Sequence, residues 1–176
     1  MTDVLDITLT ALRTRITGVF PAQIRAAVAH LTDEQLWWRP NESSNSIGNL
    51  IVHLGGSLNY YLNRNLGGIP FDRDRAAEFA ERRVIPKAEV LAIFDEMVSR
   101  AQRTLDSLTV ERLSQPSPEP TMHQVVLEDL FNVASHLSTH AGQIVWIAKM
   151  LDEGGVREVW VKSHRNEGAW KPSPTP

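Results

Sequence analysis

Four stretches of this chain repeat their apolar residues with the period of an α-helix, and this periodicity limits the fold more than any other feature. In the first, Leu5, Leu9, Leu12, Ile16 and Val19 recur at steps of 4, 3, 4 and 3. Thr2 or Asp3 is placed to cap its start. Pro21 lacks the N–H donor and crowds the preceding turn. Ile24, Ala27, Val28 and Leu31 nevertheless resume the spacing, so the sequence predicts a kinked helix and not two helices. The second stretch opens at Ser46, a favourable N-cap, and runs through Ile47, Leu50, Ile51, Leu54, Leu58, Tyr61 and Leu62 to Gly67-Gly68 and Pro70. The third begins near Pro86 and carries Val90, Ile93, Phe94, Met97, Ala101, Leu105 and Leu108. The fourth is predicted from Thr121 or Met122 to Leu151, with a broad apolar face that calls for heavy burial. Only Val159 to Val161 suggests a short extended piece. Four long amphipathic helices imply an all-α protein, a four-helix bundle.

The connections carry their own signals. Thr32 and Gln35 match a capping box, and Leu31 with Leu36 a hydrophobic staple, so a short helix bearing Trp37 and Trp38 is expected before Pro40. Leu108 to Leu113 echoes Leu31 to Leu36 and hints at a helix-pair repeat. Residues 66–85 are rich in charge and are expected to be a solvated surface loop with at most a helical turn. They are also long enough for a crossover. The expected organisation is one bundle domain over residues 1–151 and a polar C-terminal tail over 152–176.

Charge and composition narrow the function classes. With 18 Lys and Arg against 21 Asp and Glu, the net charge of -3 gives no global basic footprint for nucleic acid. No apolar run reaches the roughly 18 residues that a membrane span needs, and Met1-Thr2-Asp3-Val4, with neither a basic nor an apolar stretch, is not expected to open a signal peptide. A cytoplasmic protein acting on a small molecule is the expectation. Cysteine is absent, which removes disulfides, thiol nucleophiles, iron–sulfur clusters and Cys-ligated zinc. Any metal must rest on His, Asp or Glu.

Six histidines are present. His136 and His140 are spaced i and i+4, which places two imidazoles one turn apart on one helix face. Position 137 is Leu, so the metalloprotease pattern H-E-x-x-H is not met. Helical projection sets His140 between Val133 and Ile147, toward the interior. Two imidazoles alone make a weak site. His53, on the margin of the second apolar stripe beside Leu50, is the natural third ligand. A histidine in that position is also a common hydrogen-bonded core residue, and both readings stand at this level. Asp129 and Gln143 project on the same shoulder as the pair, as partners that would orient an imidazole or as ordinary polar positions. His30, His123 and His164 fall near helix ends or in the tail and are read as surface residues. Gly55-Gly56 inside the second helix reads as close helix packing. Trp37, Trp38, Tyr60 and Tyr61 read as core or rim aromatics in preference to a ligand cage.

The stretch Leu31-Thr32-Asp33-Glu34-Gln35-Leu36-Trp37-Trp38-Arg39-Pro40, then Ser46-Ile47-Gly48-Asn49-Leu50-Ile51-Val52-His53-Leu54, resembles the DinB/YfiT-like superfamily. His136-x-x-x-His140 followed by Gly142-Gln143-Ile144 resembles its second hallmark. The likeness covers most of residues 5–151. It implies an up-up-down-down bundle, a homodimer, and a divalent metal on His53, His136 and His140. Zinc or nickel is the usual metal, with iron and manganese as further candidates. Characterised members of that superfamily include thiol-dependent S-transferases and isomerases that use mycothiol or bacillithiol. The expected function is therefore that of a metal-dependent enzyme, either an S-transferase using a low-molecular-weight thiol or a hydrolase acting on a small molecule. The alternatives are a non-catalytic, stress-associated metal-binding protein, and a plain helical interaction protein whose histidines are core residues. No carboxylate is clearly placed as a general base.

Overall fold

A computed structural model describes residues 3–118 and 124–152. The first apolar stripe is one long, continuous helical rod. It is α-helical over Val4–Arg13 (α1), widens to a π-helix over Thr14–Val19, and returns to α over Phe20–Val28 (α2). The π turn lies immediately before Pro21, where an α turn would drive the ring against the carbonyl of Thr17. Phe20 N–H donates to the carbonyl of Arg15, five residues back. The expected kink is thus absorbed as a π segment, and Ile16, Phe20, Ile24 and Val28 remain buried along it.

The short helix α3 (Asp33–Trp37) starts with the expected capping box, in which Thr32 accepts from Gln35 N–H and Gln35 reaches back to the Thr32 backbone. A second capping box, Ser46 with Asn49, opens α4 (Ile47–Leu58), which continues as a π-helix over Asn59–Leu66. Gly68, at φ +68°, ends that rod in the left-handed region that glycine tolerates.

After it come α5 (Arg75–Ala80), α6 (Lys87–Asp106) and a 3-10 turn over Val110–Ser114. The last helix, α7, is Val126–Leu151. Its start is later than expected. Gln124 and Val125 are held extended by an isolated bridge between Pro116 and Val125, with Ser117 N–H donating to Gln124 and Val126 N–H to Gln115, so the helix cannot begin before Val126. The described residues contain no β-strand, only that bridge. The tail, with the extended piece suggested at Val159 to Val161, lies outside the described residues.

The long helices pack as a bundle. α4 lies against α6 and α7, and α2 against α7. Leu36, Ile47, Ile51, Leu54, Phe94 and Leu130 are among the side chains fully buried between them. Basic side chains close two helix ends across the bundle. Lys87 Nζ donates to the carbonyls of Val28, Ala29 and Leu31 at the end of α2, and Arg13 donates to those of Leu105 and Leu108 at the end of α6.

The charged connection between α4 and α6 differs from the expected solvated loop. Asn49, fully buried on α4, donates to the carbonyls of Glu78 and Glu81 at 3.0 and 3.1 Å. Trp37 Nε1 donates to the carbonyl of Ile85 at 2.8 Å. These ties pull α5 onto α4 and bury the Glu78 side chain, which is 7% exposed. The charges of this segment therefore divide, with Glu78 turned inward and Arg75, Arg82 and Arg83 outward.

Candidate metal centre

The packing of α4 on α7 brings His53, His136 and His140 together. His53 is buried and the other two are half-buried, and His53 and His136 line an open pocket. His53 Nε2 and His140 Nε2 each lie 3.0 Å from His136 Nε2. One ligand atom from each of the three falls within 4.8 Å of the others. The rings stand nearly perpendicular to one another, at 82°, 85° and 87°. Three Nε2 atoms therefore aim at a common point from three directions.

The outward nitrogens decide what those inner atoms are. His53 Nδ1 lies 2.8 Å from Glu78 Oε2, an acceptor, so it carries the proton. His140 Nδ1 lies 2.7 Å from Gln143 Oε1, also an acceptor. His136 Nδ1 lies 3.2 Å from Ser57 Oγ, which accepts equally well. With all three Nδ1 atoms protonated, each Nε2 presents a bare lone pair. The His136 lone pair stands 3.0 Å from each of the other two, and lone pairs this close repel one another unless a cation lies between them. For a metal–nitrogen bond of about 2.1 Å, cis ligands of an octahedral ion stand about 3.0 Å apart and tetrahedral ones about 3.4 Å. The donor set fits a divalent first-row metal with further coordination positions open.

Behind His53 stands a layer of support that the sequence reading missed. Arg73 grips Glu78 with two parallel bonds, Nε to Oε1 at 2.7 Å and Nη2 to Oε2 at 2.9 Å. Phe79 packs on the other side of the imidazole, with ring centroids 4.5 Å apart. Gly56 makes room for this carboxylate. A Cβ there would come within 2.0 Å of Glu78 Oε1 and 2.8 Å of Glu78 Cδ. The glycine pair read as helix packing thus has two roles, since Gly55 faces Phe94 and Met97 on α6 while Gly56 faces the Glu78 carboxylate. A glycine one turn after a histidine on a buried helix was the only sequence signal for this pocket.

The electrostatics favour the neutral form of His136 and His140. Burial, followed by the charges of His140, His53, Arg73 and Arg75, lowers the His136 pKa to about 4. Burial also lowers that of His140, against the opposing effect of its hydrogen bond to Gln143. For Glu78, burial pushes upward but is outweighed by hydrogen bonds from His53 and Arg73 and by their charges, so its pKa is held below the ordinary carboxylate value.

Of the two readings left open for Gln143, the structure favours the orienting one, against His140. Asp129 is fully buried and accepts from Ser117 Oγ at 2.5 Å, which ties it to the chain ahead of α7. His30 is exposed, as expected, and His123 and His164 lie outside the described residues. Trp37 is a core residue, while Tyr60 and Tyr61 meet edge-to-face with centroids 5.1 Å apart. Beside His53 and His136 the pocket is lined by Ser57, Tyr61, Arg73, Arg75 and Asn132 and encloses about 180 Å³. A larger groove on the outside of α7, beside Trp146, shares no lining residue with this pocket.

No helix among the described residues is long and apolar enough to cross a membrane. A family model described as "Protein of unknown function (DUF1572)" matches residues 8–165. No curated protein matches the chain.

Proposed function

The chain belongs to the DUF1572 family, and we propose that it is a metal-dependent enzyme whose divalent ion rests on His53, His136 and His140. The observation that carries this reading is the set of three Nε2 lone pairs aimed at one point, each fixed by a partner on its Nδ1. Zinc or nickel suits three neutral imidazoles, with iron and manganese as further candidates. Such an ion supplies Lewis acidity and a bound water or thiol of lowered pKa. The protein's own residues do the rest. Glu78 and Arg73 fix the His53 ring, Gln143 and Ser57 fix the other two, and Tyr61 and Asn132 face the open side, where a small molecule enters. The preferred reaction is an S-transfer with a low-molecular-weight thiol. No Asp or Glu lines the pocket among the described residues, and this weighs against the hydrolase reading, which calls for a base beside the water. The DinB-like assignment, the up-up-down-down helix order, a homodimer and a bundle domain ending near residue 151 belong to the same reading.

The test begins with elemental analysis of the purified protein. Cobalt-loaded protein should then change its visible spectrum on addition of mycothiol or bacillithiol. Metal bound at one per chain without any response to thiols, and without turnover of thiols, esters or amides, would favour the non-catalytic metal-binding alternative. Absence of metal binding would return the three histidines to the core of a helical interaction protein.

A further inference from the structure

Every polar group on the open side of the pocket is able to donate a hydrogen bond, and none is a carboxylate among the described residues. Ser57 accepts from His136 Nδ1, which leaves its own O–H to point elsewhere. The Tyr61 hydroxyl and the Asn132 amide add further donors. Arg73 is matched by Glu78, charge against charge and fork against fork. Arg75 is not matched. Its guanidinium lies 5.0 Å from the centroid of the Phe79 ring, and among the described residues it meets no carboxylate. Phe79 in turn packs on His53. A cation held by a ring face keeps its in-plane N–H groups for a ligand. The histidines add no negative charge, and a bound divalent ion would make the pocket more positive still. At about 180 Å³ the space holds about six waters or one compact molecule.

From this arrangement we infer that the pocket takes a small molecule ending in an oxyanion, a carboxylate or a phosphate, and that Arg75 is its specificity residue. This names the substrate class for the metal-dependent reading above and rests on that reading for the reaction, though not for the binding. Ser57, Tyr61 and Asn132 serve the remaining oxygens.

The experiment uses cobalt-loaded full-length protein at constant ionic strength, titrated with acetate, inorganic phosphate and neutral acetamide, and followed by the visible spectrum. At least one anion should bind about tenfold or more tightly than acetamide, and the better of the two identifies the class of oxyanion. Arg75→Gln should weaken that anion about tenfold while leaving the affinity for cobalt within about twofold. Arg75→Lys, which keeps the charge but loses the fork, should fall between. Acetamide binding as well as both anions, no binding of either anion, or an unchanged anion affinity in Arg75→Gln would each overturn the inference. Failure of cobalt to bind would overturn the metal reading instead. The same anions would then be tested on metal-free protein by thermal shift. A rise in melting temperature lost in Arg75→Gln supports the oxyanion pocket, and no rise overturns it.

Discussion

Glu78 sets the direction in which His53 faces. Its carboxylate accepts from Nδ1, and its own position is held by Arg73 on one side and by the space over Gly56 on the other. Outer partners of this kind typically change metal affinity by about 10–100-fold. Glu78→Gln should therefore weaken zinc or cobalt binding by about that factor in a competition titration, with the far-ultraviolet circular dichroism unchanged. Gly56→Ala should have the same effect from a different cause, because its Cβ displaces the carboxylate without touching a ligand. An unaltered affinity in Gly56→Ala would mean that Glu78 does not orient His53. Protons compete for the same lone pairs. The His136 pKa is lowered to about 4 from an ordinary 6.5. Its neutral form is thus favoured in the folded chain, and below about pH 6.5 the unfolded chain takes up the extra proton. Metal-free protein should lose stability as the pH falls from about 6.5 to about 4, with the whole penalty present below that. His136→Gln should flatten that part of a plot of denaturant midpoint against pH. The three histidines were legible from spacing and helical projection, since a ligand must sit on a helix face. Glu78 was not, because nothing in a run of charges tells which member a buried amide elsewhere will draw inward.

Asn49 is the amide that does so, and it links two elements. Its oxygen caps the start of α4 through Ser46, while its nitrogen holds the carbonyls of Glu78 and Glu81 around the end of α5. Asn49→Ala leaves the Glu78 carbonyl without this partner in a buried place, at about 1–3 kcal/mol, while the part-buried Glu81 carbonyl keeps its bond from Arg82 Nη1. The variant should show a lower denaturant midpoint, and hydrogen exchange over residues 75–81 should rise more than in α6. Equal acceleration in both helices would deny α5 its tether. The helices themselves were readable from the 3.6-residue period, the capping residues and the glycine stop. The two π segments were not, since one extra residue in a turn barely alters the mean spacing over a window of several turns. Pro21 gave the first of them away only as a kink. The delayed start of α7 escaped for a related reason, because the bridge at Pro116 and Val125 depends on chain segments meeting in space.

For the molecule as a whole, the centre joins helices 83 residues apart in sequence. The core is continuous without it, with apolar side chains from α1 to α7 in one cluster. Metal should thus add to the stability of a folded chain and not create the fold, unlike a small zinc domain that is unfolded without its ion. The magnitude follows from mass action. Free metal at about 100 times its dissociation constant stabilises the native state by about 2.7 kcal/mol. For a chain of this size each 1 kcal/mol moves the melting temperature by about 2–4 °C, so the expected rise is about 5–11 °C. Chelation should remove the rise and leave a cooperative transition. His136→Ala combined with His140→Ala should abolish it while releasing the lone-pair repulsion at the centre, so that the double variant without metal melts close to the metal-free parent. A double variant that still gains the full rise would place the ion elsewhere. One that fails to fold would make the histidines part of the core packing and not a site laid upon it. The half-buried positions of His136 and His140, against the full burial of Leu137 and Ala141 between and beside them, argue for the first outcome. The face of α7 that packs the bundle and the edge that presents the imidazoles are adjacent but separate.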